Sequence, residues 1–148
     1  MPILNVYPGD ARPRPLAADY RVVRFYHRGA GAYRAHPLFD RVELRDGVRA
    51  RPLRGALWHH PLLSWSHFVA KENRYTDFQA GAARARSRTG LLLRLPVELP
   101  LAFLKFYFLR GHVTGGWKGF AFATTAAFAR WLRLVKLLER SDRGGREK

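Results

Sequence analysis

Cysteine is absent from the 148 residues, which excludes disulfides and thiolate metal ligands and leaves the redox compartment unreadable. Acidic side chains are scarce: 11 Asp and Glu stand against 27 Lys and Arg, for a formal net charge of +16. Nowhere do two carboxylates sit one residue apart, the spacing that a metal-nucleotide site often uses, so divalent-metal and nucleotide-diphosphate chemistry finds no obvious ligands. None of the six histidines (27, 36, 59, 60, 67 and 112) shows the helical pair four apart, with a Glu between, that marks a metal site. No glycine-rich phosphate loop follows a strand, because Gly111 to Gly116 falls between predicted helices. No strand-to-helix elbow surrounds Ser64 or Ser66, and helix capping accounts for Ser64.

Long apolar runs are missing too. Met1 to Pro15 has no basic start followed by an apolar stretch, so a signal peptide is not expected there. The most apolar segment, Leu91 to Leu109, carries Arg94, Glu98 and Lys105 and is interrupted by Pro96 and Pro100. A spanning helix wants about 20 mostly apolar residues. This segment is expected to lie on a membrane or pack in a core rather than span.

What is present is positive charge, and most of it is arginine; lysine occurs only at 71, 105, 118, 136 and 148. Self-repulsion at this charge favours an acidic partner surface, whether nucleic acid, an anionic leaflet or a phosphate-rich substrate. The planar guanidinium suits phosphate, although compositional bias would give the same count.

The first 60 residues read as strands and loops. Arg21 to Tyr26 predicts a strand, and His27 to Ala32 a turn. Val42-Glu43-Leu44 and Val48-Arg49-Ala50 predict a hairpin around Arg45-Asp46-Gly47. A three-residue loop would pair Leu44 with Val48 and Val42 with Ala50, with Gly47 left-handed.

From Pro61 the period becomes helical. Ser64 to Arg86 predicts a first helix whose face holds Trp65, Phe68, Val69, Glu72, Tyr75 and Phe78. Leu91 to Arg110 predicts a second helix or a pair of short ones, bent at its prolines and ended by Gly111. Gly115, Gly116 and Gly119 read as a connector. Lys118 to Arg140 predicts a third helix, with Phe120, Ala127, Trp131, Leu134, Val135 and Leu138 on one side and Lys118, Arg130, Arg133, Lys136 and Arg140 on the other. That pattern suits an anionic bilayer surface, and equally an ordinary helix with a solvated face. The expected class is α+β in one domain: residues 1–60 rich in strands and loops, 61–140 helical, and 141–148 a frayed tail.

Several segments, in order, resemble the later part of family 2 glycosyltransferases that act on bacterial lipid-linked or lipopolysaccharide acceptors. Tyr20 to Gly29 resembles the strand following the family's nucleotide-binding region. Leu38 to Val42 stands where members carry Val-His-Glu or Val-His-Asp, with Phe39 in the histidine's place and Asp40 keeping the acid. Gly55 to His59 is similar to a Leu-x-His element, and Lys71 to Thr76 closely matches a Lys-x-Asn-Arg-Tyr-Thr helix motif. Pro96 to Gly119, with Phe103 to Tyr107, resembles a membrane-proximal stretch.

The resemblance implies a partial GT-A-like C-terminal region and inverting transfer of a sugar from a nucleotide donor to a cell-envelope glycan or lipid-linked acceptor. Asp40 would be the catalytic base. Arg24, Arg28, His59 and Arg74 would meet diphosphate or acceptor phosphate, above a helix face shaped by Lys71, Asn73 and Tyr75. Phe103, Phe106, Tyr107, Lys118, Arg130, Trp131, Arg133 and Lys136 would form the membrane interface, on the cytoplasmic face of the bacterial inner membrane. The family's donor half, with its Asp-x-Asp site, has no room here. No cofactor is therefore expected in this chain, and Mg or Mn would accompany the donor half. The chain would be a truncated gene product or one half of a split enzyme whose partner, a separate nucleotide-sugar-binding polypeptide, supplies the donor site. The competing readings are a basic nucleic-acid-binding module, which the clustering of aromatics with aliphatics disfavours, and a membrane-bound accessory protein without catalytic ancestry.

Overall fold

The computed structural model describes residues 2–16, 20–33, 42–83 and 87–144. Five short strands precede three helices: β1 (Pro2–Asn5), β2 (Tyr20–Arg21), β3 (Gly31–Tyr33), β4 (Val42–Leu44), β5 (Leu57–His59), α1 (Trp65–Gly81), α2 (Arg88–Leu104) and α3 (Gly116–Gly144). The α+β class expected from the sequence is the one observed.

β1 is the centre of a three-stranded sheet. It pairs antiparallel with β2, Pro2 opposite Arg21, and parallel with β5, Asn5 opposite His59. Ile3 and Val6 are fully buried behind it. The sequence reading placed no strand here. Four residues are too few to show an alternation, and proline is tolerated at Pro2 because the first strand residue can spare its N–H. The expected strand Arg21–Tyr26 shrinks to Tyr20–Arg21 because Arg21 already stands opposite Pro2, and the residues after it run past the start of β1.

The expected hairpin is corrected. Val42–Leu44 pairs backwards with β3, Gly31 opposite Leu44 and Tyr33 opposite Val42, while Val48–Ala50 is not a strand. Gly31 makes this pairing possible, because a Cβ there would stand 2.6 Å from the Glu43 carbonyl oxygen. The turn chemistry itself was legible. Gly47 is left-handed at φ +80°, and Val48 N–H donates to the Arg45 carbonyl at 3.1 Å.

Ser64 caps α1, its hydroxyl accepting from His67 N–H at 3.0 Å. The helix ends at Gly81 rather than Arg86. Its inward face is Phe68, Thr76 and Ala80, so Val69 and Phe78 of the predicted face are exposed. α2 starts before Leu91 and accommodates Pro96 and Pro100 within its length. A π-turn over Lys105–Leu109 follows, and left-handed Gly111 ends the element as expected. A 3-10 turn over His112–Gly115 then leads into α3. Gly119 is inside α3 rather than in a connector.

α3 is the spine. Ala123, Ala126, Ala127, Ala129, Leu134 and Leu137 are buried along it, the small side chains letting neighbouring helices approach. Leu134 and Leu137 meet Ala80 of α1 and Leu91 of α2, with Leu95 and Leu138 packed around them. Because α3 has neighbours on more than one side, a two-faced reading of it misplaces Phe120, which is half-exposed, and its cations.

Candidate functional site

The cations expected on the solvated side of α3 are used inside the fold. Lys136 Nζ donates to Asn73 Oδ1 at 2.7 Å and Thr76 Oγ1 at 2.8 Å, and pairs with Asp77 at 2.6 Å. Lys118 donates to the Pro8 carbonyl at 3.0 Å and to Asp10. Arg140 donates to the Ala80 and Gly81 carbonyls, holding the end of α1. Arg130 reaches Glu98 at 2.7 Å, and Arg94 binds the same carboxylate at 3.0 Å. Burial alone would raise the Glu98 carboxyl. The hydrogen bonds and charges of Arg130 and Arg94 outweigh it and hold the carboxyl below its usual range.

This Arg94–Glu98–Arg130 bridge borders a cavity of about 930 Å³ where α1, α2 and α3 face the three-stranded sheet. Six cations line it, Arg24, Lys71, Arg94, Arg110, Arg130 and Arg133, against two carboxylates, Glu72 and Glu98. Since Glu98 is already held by two arginines, the surplus is positive and the cavity suits an anionic ligand. The deeper wall is apolar, with Phe68, Phe122, Leu134 and Leu137. An apolar wall beside a positive surplus suits a ligand with both an apolar face and anionic groups.

Four of the seven substrate-binding residues expected from the sequence meet here: Arg24 from the segment after β2, His59 from β5, and Lys71 and Tyr75 from α1. Lys71 Nζ sits 5.8 Å from the Tyr75 ring centroid and 3.5 Å from the Pro61 carbonyl. His59 shares a 3.1 Å hydrogen bond with Asn5 Oδ1. Burial, then the charges of Lys71, Arg24 and His60, lower its pKa, so it is a neutral imidazole at pH 7, able to donate and accept.

The other three lie elsewhere. Arg28 is exposed in the turn before β3, Asn73 is engaged by Lys136, and Arg74 borders a second hollow of about 420 Å³ with His67 and Phe78, which Lys71 and Tyr75 also line. Asp40 lies outside the described residues. Of the residues expected at a membrane, Phe103 and Tyr107 stack at 5.2 Å and form an aromatic cluster with Phe120. Phe106 carries Arg110 over its ring and turns toward the cavity. Trp131 stacks on Phe128.

Sequence reasoning missed Glu72, Arg94, Glu98 and Arg110 as site residues. The four-residue spacing of Arg94 and Glu98 was the available signal. Glu72 makes no hydrogen bond or ion pair with another described residue. Burial raises its pKa, and neighbouring Lys71 only partly offsets this. The family resemblance places a divalent metal with the donor half, not with these residues. Among the described residues no three His, Cys, Asp or Glu side chains group as ligands, and Glu98 is occupied by arginines.

The chain is similar to curated bacterial proteins named as glycosyltransferases. It is 30% identical over 94% of its length to an uncharacterised glycosyltransferase of Rickettsia prowazekii, of which it covers 50%. A second uncharacterised glycosyltransferase, from Rickettsia bellii, is 29% identical with the same coverage. The lipopolysaccharide core biosynthesis glycosyltransferase LpsC of Rhizobium meliloti is 27% identical over 82% of this chain and 45% of its own length. The chain thus spans about half the length of the curated relatives it matches, and a glycosyltransferase relationship is the kinship these likenesses support. No protein-family model matches the chain, and no solved structure does.

Proposed function

We propose that this chain is the acceptor-side part of a family 2 glycosyltransferase that builds a bacterial cell-envelope glycan, and that the basic cavity holds the acceptor. One observation carries the reading: Arg24, His59, Lys71 and Tyr75, from three separate segments, line one cation-rich cavity in a chain similar to proteins named as glycosyltransferases. Arg24 and Lys71 neutralise a phosphate or carboxylate on the glycan, and neutral His59 and Tyr75 orient its hydroxyls. In the transfer, the acceptor oxygen bonds to the anomeric carbon as that carbon's bond to the diphosphate breaks, and the hydroxyl proton passes to a carboxylate. Asp40 takes that proton by family resemblance; Glu72 is the carboxylate that the cavity itself offers.

In this reading the chain transfers no sugar by itself, and among the described residues no three His, Cys, Asp or Glu side chains group to hold a metal. The purified chain, incubated with common nucleotide sugars and a lipopolysaccharide core acceptor, is expected to show no turnover. The same chain binds a phosphorylated core oligosaccharide saturably in calorimetric titration, and Arg24→Ala with Lys71→Met weakens this at least about tenfold, the scale of two lost charge contacts. Turnover by the chain alone would overturn its incompleteness. Binding that ignores the double substitution would overturn the site.

A further inference from the structure

On α2, Glu98 faces inward with Leu91 and Ala102, and an apolar row faces outward. Glu98 is nearly buried and Arg94 turns to it across the cavity rim, whereas Leu93, Val97, Leu101 and Leu104 are 72%, 46%, 61% and 49% exposed. At about 100° per residue these four share one face with the exposed Pro96 and Pro100. No charged side chain falls on that face. The stripe is roughly 16 Å long at 1.5 Å per residue, and Phe108, 56% exposed, continues it beyond the helix.

An unpartnered apolar face needs an occupant, and the charges beside it indicate which. Between Arg88 and Phe120 the chain has five basic residues, Arg88, Arg94, Lys105, Arg110 and Lys118, and one acid, Glu98, which is sequestered. The exposed charge at the end of the stripe, Lys105 and Arg110, is wholly positive. The two prolines add a depth limit. Lacking N–H groups, Pro96 and Pro100 leave the carbonyls of Leu92 and Pro96 without their helical donors, and a carbonyl without a donor is costly in hydrocarbon but hydrated at a headgroup boundary. Among the described residues no helix is long and apolar enough to cross a membrane.

We infer that α2, through Leu93, Val97, Leu101 and Leu104, lies in the interface of an anionic bilayer, with Lys105 and Arg110 on lipid phosphates. This face is separate from the α3 cations, which are spent on intramolecular partners, and it does not depend on the cavity's being a glycan site. The apolar stripe enters the headgroup–acyl boundary while the basic residues hold the orientation.

The test is flotation of the full chain with phosphatidylcholine vesicles containing phosphatidylglycerol, beside Leu93→Gln/Leu101→Gln. Both positions are exposed, so the variant keeps the native circular dichroism. The inference expects partition to fall at least about tenfold in the variant, since binding scales with apolar area inserted. Equal partition of the two proteins would mean charge adsorption alone and overturn it, as would the absence of binding. A dimer in light scattering that the double substitution dissolves would assign the face to a second copy, overturning it as well. Because the chain has no cysteine, Leu101→Cys carries a single polarity-sensitive dye. Its emission shifts to the blue on adding vesicles, whereas a dye at Asp46→Cys on the distant turn does not; equal responses overturn the assignment.

Discussion

The hydroxyl of Tyr7 and Nδ1 of His112, 105 positions apart in the chain, share a buried hydrogen bond of 2.7 Å. The His112 ring stacks on Phe122 of α3 at 4.3 Å, so one imidazole joins the segment after β1 to the turn before α3. Burial first, then the charges of Arg14 and Arg110, push its pKa down to about 4. The ordinary value is 6.5, so between these limits the unfolded chain binds the extra proton. Stability is therefore complete above pH 6.5 and declines as pH falls through 4, by about 3 kcal/mol in all. Urea unfolding at pH 7.5 and 4.5 should show this loss, and His112→Gln should remove most of the difference while lowering stability at the higher pH. An acid limb as steep in the variant as in the wild type would remove His112 from the explanation.

Glu98 gives the second prediction. Its side chain is only 11% exposed, while Arg94 and Arg130 are nearly half exposed. Glu98→Gln leaves two guanidiniums facing each other with one neutral acceptor between them. The expected cost is about 1–3 kcal/mol, below that of a fully buried pair because both arginines can turn to water. Thermal unfolding measures it, and a change within about 0.5 kcal/mol, as for an ordinary surface site, would show that the bridge does not hold α2 to α3.

These two contacts mark what a sequence can and cannot display. Ser64 as a cap, Gly47 as a left-handed position, Gly111 as a helix stop, and the three helices were legible because each depends on local chemistry. Tyr7 and His112 were not: nothing near either residue announces a partner so far along the chain. β1 was missed because its pairing, not its composition, makes it a strand. Arg24, His59, Lys71 and Tyr75 were named as a site from motif resemblance, and the fold brings them to one cavity. Arg28, Asn73 and Arg74 do not line that cavity, because a motif fixes the order of its residues and not which surface each one faces. The cations of α3 show the converse error, since a helix with neighbours on several sides has no free polar face to read.

Gly119 and Gly90 form a paired prediction with opposite signs. Both are helical, where alanine is favoured over glycine by about 1 kcal/mol. At Gly90 the nearest atom to an added Cβ is Ser87 Cβ at 3.9 Å, so Gly90→Ala should stabilise by about 0.5–1 kcal/mol. At Gly119 the added Cβ would overlap the His112 carbonyl oxygen, which is backbone and cannot swing aside. Gly119→Ala should destabilise by about 2 kcal/mol or more despite its propensity. Denaturant midpoints of the two variants check both. Stabilisation at Gly119 would mean that the 3-10 turn and α3 are not held together there.

Glu72 separates charge from recognition in the cavity. Its carboxyl is raised by burial, which neighbouring Lys71 only partly offsets, and it lines the cavity, so it opposes any anion that enters. With inorganic pyrophosphate as ligand, Glu72→Gln should tighten binding about two- to tenfold near pH 7, because one repulsive charge is gone. The wild type should also bind more tightly as pH falls and Glu72 is protonated, whereas the variant loses that part of the pH dependence. A phosphorylated core oligosaccharide should respond in the opposite sense if Glu72 accepts from one of its hydroxyls. The amide is a weaker acceptor than a carboxylate, and a charge-assisted hydrogen bond is about twice as strong as a neutral one. Calorimetry with both ligands on both proteins gives four affinities. Tighter pyrophosphate with weaker oligosaccharide assigns Glu72 to the acceptor hydroxyl; tightening of both leaves it a repulsive wall of the cavity, and returns the proton-accepting role to Asp40.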